Sequence, residues 1–249
     1  MPASSPSRTQ ADRSDLSRQR ILDAALLEFS AEGLAGARTD RIAAAAGVNK
    51  ALLYYYFESK ENLYNATLEM IAARVRDSSM AVFLRSATAG ERIVRFALSH
   101  FDRILSQREF QSLMQQEMIR VHKGESGAVS LLIQRVFSPI HAMFQALVRE
   151  GIASGELIVA DWFQFPLVAL GANVFYFLAA PIWGSIMPFD PFAPEVIAER
   201  RCALVRFLGQ ALFLDREHGA RLAELILADT PMPAIAQDRF LQGRKNERT

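Results

Sequence analysis

The sequence predicts an all-α protein, with a small three-helix domain carrying a helix-turn-helix at its N-terminus and a larger helical domain after it. Three observations predict this. Apolar residues recur at the helical period along most of the 249 residues, as in the row Ile21, Ala25 and Phe29 flanked by Leu22 and Leu26. Alternating strand patterns are nearly absent. Two helix-sized segments shorter than ten residues meet at Gly47-Val48, a glycine-containing turn of the kind that joins such helices.

The elements follow in order. Residues 1–16, rich in Ser, Pro, Arg and Gln, read as a disordered arm. Leu16 to Glu32 is a helix, with Gly33 as its stop. Thr39 is the expected N-cap of a short helix from Asp40 to Ala46. Asn49 caps a second short helix, Lys50 to Phe57. Ser59 caps a longer one running to about Arg85, with Glu61 in its first turn, where negative charge is favoured. Further helices are expected over Gly90–Leu105, Glu109–Val121 and Gly127–Ile152, the last kinked at Pro139. Asp161–Ala180 is an apolar helix, and Pro181–Pro194, with four prolines, a loop. Glu195–Asp215 is the last strong helix, and Ala220–Ala228 a small extra one. The expected divisions are 1–16, 17–63, 64–217 and a partly disordered extension, 218–249.

Composition bounds the function. The formal net charge is +1 with 51% hydrophobic and 22% charged residues, so any nucleic-acid affinity must come from local basic groups rather than a basic surface. The single cysteine, Cys202, excludes an internal disulfide. The N-terminus lacks the apolar core of an export signal, which fits a cytoplasmic protein. Trp162 to Phe189 holds no charged residue and is long enough to span a bilayer, but it contains Gln164, Pro166, Gly171, Asn173, Pro181 and Gly184 and is flanked by aspartates rather than basic anchors. Burial between subunits accounts for the run without a membrane. Phosphate-binding glycine loops, nucleophile elbows and paired metal ligands are absent from the sequence, so no enzyme, metal or cofactor is expected.

The informative stretch runs from Arg38 to Leu63. Ile42, Val48, Leu53 and Phe57 can form the small core between the two short helices, Leu53 and Phe57 sharing one face four residues apart. The opposite face of the second helix then presents Lys50, Ala51, Tyr54 and Tyr55 to solvent, a surface suited to the major groove.

This pattern resembles the TetR family of bacterial transcriptional regulators (TetR/AcrR-type). The resemblance is carried by Ile21-Leu22, Ala24-Ala25, Leu27, Phe29 and Gly33, then Thr39, Ile42-Ala43 and Ala46-Gly47-Val48, then Leu53-Tyr54-Tyr55-Tyr56-Phe57 and Ser59-Lys60-Glu61-Asn62-Leu63. It implies a DNA-binding domain followed by a helical ligand-binding and dimerisation domain: a repressor that binds a palindromic operator as a homodimer and is released by a small-molecule effector, or an activator of the same build. It also implies DNA contacts from Thr39, Lys50, Ala51, Tyr54, Tyr55, Tyr56 and Lys60, with Thr39, Tyr56 and Lys60 at phosphate. Ala51 and Leu52 depart from the family's usual glycine and hydroxyl residue, so one common phosphate contact is missing.

From about residue 86 onward the likeness is architectural only, the apolar helix 161–180 and the helix 195–215 fitting the family's dimer interface. The effector pocket is expected between the middle helices, with Phe96, His100, Phe101, Met114, Glu117, Met118, Phe137, His141, Phe144 and Phe175 as candidate linings and an apolar or aromatic effector. The rival reading is a membrane-associated protein with its span near 162–182.

Overall fold

The computed structural model describes residues 10–125, 130, 132–158, 161 and 163–233, and the bounds below refer to these. It contains ten α-helices among them: α1 Gln10–Gly36, α2 Thr39–Ala46, α3 Lys50–Phe57, α4 Lys60–Phe83, α5 Ala89–Ser106, α6 Arg108–His122, α7 Ser138–Ala153, α8 Gln164–Ile186, α9 Pro194–Leu212 and α10 Arg216–Asp229. The β-type pairing among the described residues is an isolated bridge between Leu157 and Phe213. The chain divides into two compact units, one of residues 1–75 and 109–137, the other of residues 76–108 and 138–249.

The core of the first unit is the row that sequence periodicity exposes: Ile21, Leu22, Ala25 and Phe29 of α1 pack with Ile42, Ala43, Leu53, Phe57, Leu63, Tyr64 and Leu68. Phe29 and Tyr64 meet edge to face at 5.0 Å. Helix α6 belongs here too, although the sequence gives no sign of it. Leu113 joins this core, and Ser112 and Gln116 donate to the carbonyl of Ser30 at 2.6 and 3.1 Å. Glu117 is fully buried; it accepts from the Tyr64 hydroxyl at 2.6 Å and pairs with Arg120 at 2.6 Å.

The second unit is built on a phenylalanine-rich core: Phe83 at the end of α4, Phe96 and Phe101 of α5, Phe144 and Leu147 of α7, Val205 and Leu208 of α9, and Phe213 just after it. Helices α9 and α10 cross at two glycines: a Cβ on Gly219 would lie 2.0 Å from the carbonyl oxygen of Gly209.

Several expectations are corrected. Helix α1 starts at Gln10, not Leu16, because Gln10–Leu16 contains no proline or glycine and places Asp12 in the first turn; residues 1–9 of the expected arm lie outside the described residues. Gly33 does break the helix, with φ of 69°, but a further turn runs to Gly36. Arg38 rather than Thr39 precedes α2, and no side chain caps it. The helix at Pro139 begins after a π-helical turn, Ile133–Phe137, ahead of a residue with no N–H to give. Pro181 does not start a loop: α8 continues through it to Ile186. The small helix expected at Ala220–Ala228 is the fourteen-residue α10, held by buried Ala223 and Ile226. Residues 234–249 of the expected extension lie outside the described residues.

Candidate nucleic-acid interface

Local signals fix the recognition helix. Gly47 caps α2 in the left-handed region at φ 64°, a conformation that glycine reaches at little steric cost. Asn49 caps α3 by accepting from the Leu52 N–H at 2.7 Å. Buried Leu53 and Phe57 anchor one face, and the guanidinium of Arg18 lies 5.3 Å over the Phe57 ring. The chain leaves α3 through Glu58, a non-glycine residue at φ 61°, whose turn is closed by the Ser59 N–H donating to the Phe57 carbonyl at 2.6 Å. That is a strained γ-type turn. Ser59 then caps α4 by accepting from Asn62 N–H at 3.0 Å.

The face opposite the anchors is open. Tyr55 is 79% exposed and Tyr54 37%, and Lys50 and Ala51 are also exposed. Tyr55 is therefore a surface residue, not part of the core. The Tyr54 hydroxyl is 3.3 Å from that of Thr39, which is otherwise buried. The Tyr56 hydroxyl is 3.0 Å from Ser14, and its ring lies edge-on to Tyr55 at 5.4 Å. Lys60 donates to the carbonyl of Ala35 at 3.1 Å, at the end of α1, where a cation is favoured. Its ammonium has further protons for a phosphate. Thr39, Lys50, Ala51, Tyr54, Tyr55, Tyr56 and Lys60 all belong to the first unit, within or next to the helix-turn-helix.

Sequence reasoning missed Asp40. Its carboxylate lies 2.8 Å from the Lys50 ammonium. Their hydrogen bond lowers the Asp40 pKa and raises that of Lys50. The spacing of ten residues across a turn gave no local signal of that pairing.

The ten candidate effector residues fall in both units. Met114, Glu117, Met118 and Phe137 belong to the first, where Met114 and Glu117 are buried and Met118 and Phe137 exposed. Phe96, His100, Phe101, His141, Phe144 and Phe175 belong to the second. Phe96, Phe101 and Phe144 are core residues there, whereas Phe175 and His141 face outward. Burial, with a smaller contribution from the Arg103 cation, pulls the His100 pKa down to about 3. Two polar residues beside His100 were not anticipated. Arg103 is buried and donates to the hydroxyls of Ser78 and Ser79, and burial lowers its pKa to about 10. Asn173 is fully buried on the mostly apolar α8. Its amide stood in plain view within the charge-free run, but a helix apolar on all sides does not reveal which side faces in.

Residues 21–67 match the family described as bacterial regulatory proteins, tetR family. The HTH-type transcriptional repressor NicS of Pseudomonas putida is 27% identical over 146 residues, 59% of this chain and 68% of its own length. The HTH-type transcriptional regulator RutR of Escherichia coli is 52% identical over 54 residues, 22% of this chain and 26% of its own length. This chain thus spans only about a quarter of RutR, all of it within one short segment. Among solved structures, a TetR/AcrR-family regulator from Thermobifida fusca superposes with a TM-score of 0.58 at 24% identity, covering 77% of this chain and 95% of that one.

Proposed function

We propose that this chain, whose residues 21–67 match the family described as bacterial regulatory proteins, tetR family, belongs to that family and is a dimeric repressor which reads duplex DNA with α3 and is released by a small-molecule effector. The observation that carries this reading is the two-faced α3: Leu53 and Phe57 are sealed in the core while Lys50, Ala51, Tyr54 and Tyr55 stand on the exposed face. N-terminal residues of such a helix reach base edges, and the flanking polar groups fix its register on phosphate. Thr39, Tyr56 and Lys60 are assigned to phosphate, Lys50, Ala51 and Tyr54 to the groove, and Tyr55 to its rim. The relative named a repressor favours repression over activation. No catalytic step is part of this reading; the work is done by binding free energy in the cytoplasm, where the DNA is.

The dimer is inferred from α8. Its outward residues Leu167, Val168, Phe175, Leu178, Ile182 and Ile186 are each more than half exposed in the single chain, as is Phe207 of α9. Such an apolar patch marks an interaction surface, and a second copy covers it with the two-fold symmetry that a palindrome demands. The same helix is long and apolar enough to cross a membrane, with 22% of its most apolar window buried, which is the observation favouring the alternative reading of a membrane-associated protein. Purification without detergent separates them: a soluble dimer supports repression through paired half-sites, and a protein extracted only by detergent supports the span. The DNA-reading assignment is tested by Tyr54→Ala. It should weaken operator binding at least about tenfold, the effect of losing one good contact, with helix content and dimerisation unchanged. Binding equal to that of the unaltered protein would overturn the assignment.

A further inference from the structure

Helix α8 is apolar on both faces: Leu167, Val168, Phe175, Leu178 and Ile182 stand outward, and among the inward Ala169, Ala180 and Phe177 stands the buried amide of Asn173. The Asn173 side-chain NH2 donates to the Ala97 carbonyl at 3.3 Å and lies 3.4 Å from His100 Nδ1. Its other half is left over. The carbonyl oxygen, Oδ1, is buried with no hydrogen-bond partner. Buried acceptors are nearly always satisfied, because removal from water without a partner carries a desolvation penalty. Clipping α8 to α5 needs only the NH2 group, so the clip does not explain why an amide with an idle acceptor stands here rather than a residue without one.

The surroundings are aromatic. Phe101, next to His100, lies 5.2 Å from Phe177 of α8; Phe96 lies 6.1 Å from Phe144, which stacks on Phe165 at 5.6 Å. His100 is neutral at physiological pH, and because its Nδ1 faces an N–H donor the ring proton resides on Nε2. The pair therefore leaves one idle acceptor, Asn173 Oδ1, in phenylalanine-rich surroundings.

We propose that Asn173 and His100 form the polar end of the effector site in the second unit, and that the effector is a neutral molecule with an aromatic or apolar body whose hydroxyl or amide group donates a hydrogen bond to Asn173 Oδ1. A carboxylate does not suit Asn173 Oδ1: at neutral pH it has no proton to donate to that acceptor. The proposal rests on the ligand-responsive reading above. Entry of such a ligand satisfies an atom that the closed core leaves bare, which supplies the differential affinity that a ligand needs to shift a conformational equilibrium.

The test uses the full-length protein and three probes of one shape in isothermal titration calorimetry: 2-naphthol, which donates; 2-methoxynaphthalene, which does not; and 2-naphthoate, which is anionic. The expected result is that 2-naphthol binds at least about tenfold more tightly than either of the others, one good hydrogen bond to a buried acceptor. In Asn173→Leu, with helix content unchanged, the advantage should shrink to about twofold or less. Naphthoate binding as tightly as naphthol, the preference surviving in Asn173→Leu, or none of the three binding up to its solubility would each overturn the proposal. Should Asn173→Leu fail to fold, the ranking in the unaltered protein still decides. DNA binding by the same preparation is measured in parallel. Intact DNA binding with the wrong ranking removes this inference alone, whereas loss of DNA binding removes the reading on which it rests.

Discussion

Lowering the pH should destabilise this protein through one residue, His100. Its pKa is pulled from the ordinary 6.5 to about 3, first by burial and then by the Arg103 cation. The sign follows from linkage. A group whose folded pKa is depressed leaves the native state fully stable above the unfolded pKa, and stability is lost as pH falls from 6.5 toward 3, because the unfolded chain takes up a proton that the native one refuses. At pH 5 the difference amounts to about 2 kcal/mol, since the unfolded imidazole is some 1.5 units below its pKa and the native one remains neutral. For a chain of this size that is a fall in Tm of about 4–8 °C. Other groups also titrate, so the measurement is a difference. Circular dichroism melts at pH 7 and pH 5, at one protein concentration and ionic strength, are compared for the natural protein and His100→Asn, which keeps an acceptor near the Nδ1 position for Asn173. The natural protein should lose about 4–8 °C more than the variant over this interval. Equal losses would refute the reasoning, because they would mean that His100 gains its proton in the folded state as readily as in the unfolded one.

Two further outcomes are expected. Asp40→Asn removes a carboxylate that holds Lys50 at 2.8 Å and stands among groups assigned to DNA; it should tighten binding to specific and non-specific duplexes alike and steepen the salt dependence, as read by anisotropy titrations from low to moderate salt. Unchanged affinity would mean that the Asp40–Lys50 pair lies off the DNA. Gly219→Ala places a Cβ 2.0 Å from the backbone oxygen of Gly209, which cannot swing aside as a side chain can; urea unfolding should show a loss at the upper end of the roughly 1–3 kcal/mol of overpacking, and a loss below about 1 kcal/mol would show that α9 and α10 cross less closely.

Some local signals locate structure to the residue, although Thr39 misplaces the start of α2 by one. Gly47 and Asn49 act through their own backbone and their nearest neighbours, so the turn and the start of α3 are legible, and with them the outward set Lys50, Ala51, Tyr54 and Tyr55. Features made by distant residues are not. Helix α6 looks like any helix of the second half, and only Leu113, Gln116 and Glu117 meeting Ser30, Tyr64 and the α1 core tie it to the first unit. The run from Gln10 to Leu16 has no apolar row to announce a helix, and from Asp12 to Leu16 it is a mostly exposed extension of one. Pro181 reads as a breaker but is carried within α8. The ligand residues were legible by type and not by direction: Phe and Met suit a core and a pocket alike, and it takes the fold to turn Phe175 outward and Asn173 inward.

The central claim is that α3 reads DNA in a two-fold symmetric pair. It is tested most directly by sequencing the duplexes that the purified protein retains from a random pool. The account predicts an enriched palindrome whose half-site centres are about 10–10.5 base pairs apart, or a multiple of that, so that two copies of α3 enter successive major grooves on one side of the duplex. Retention of duplexes without any shared sequence, or enrichment of a single unrepeated half-site, would contradict it.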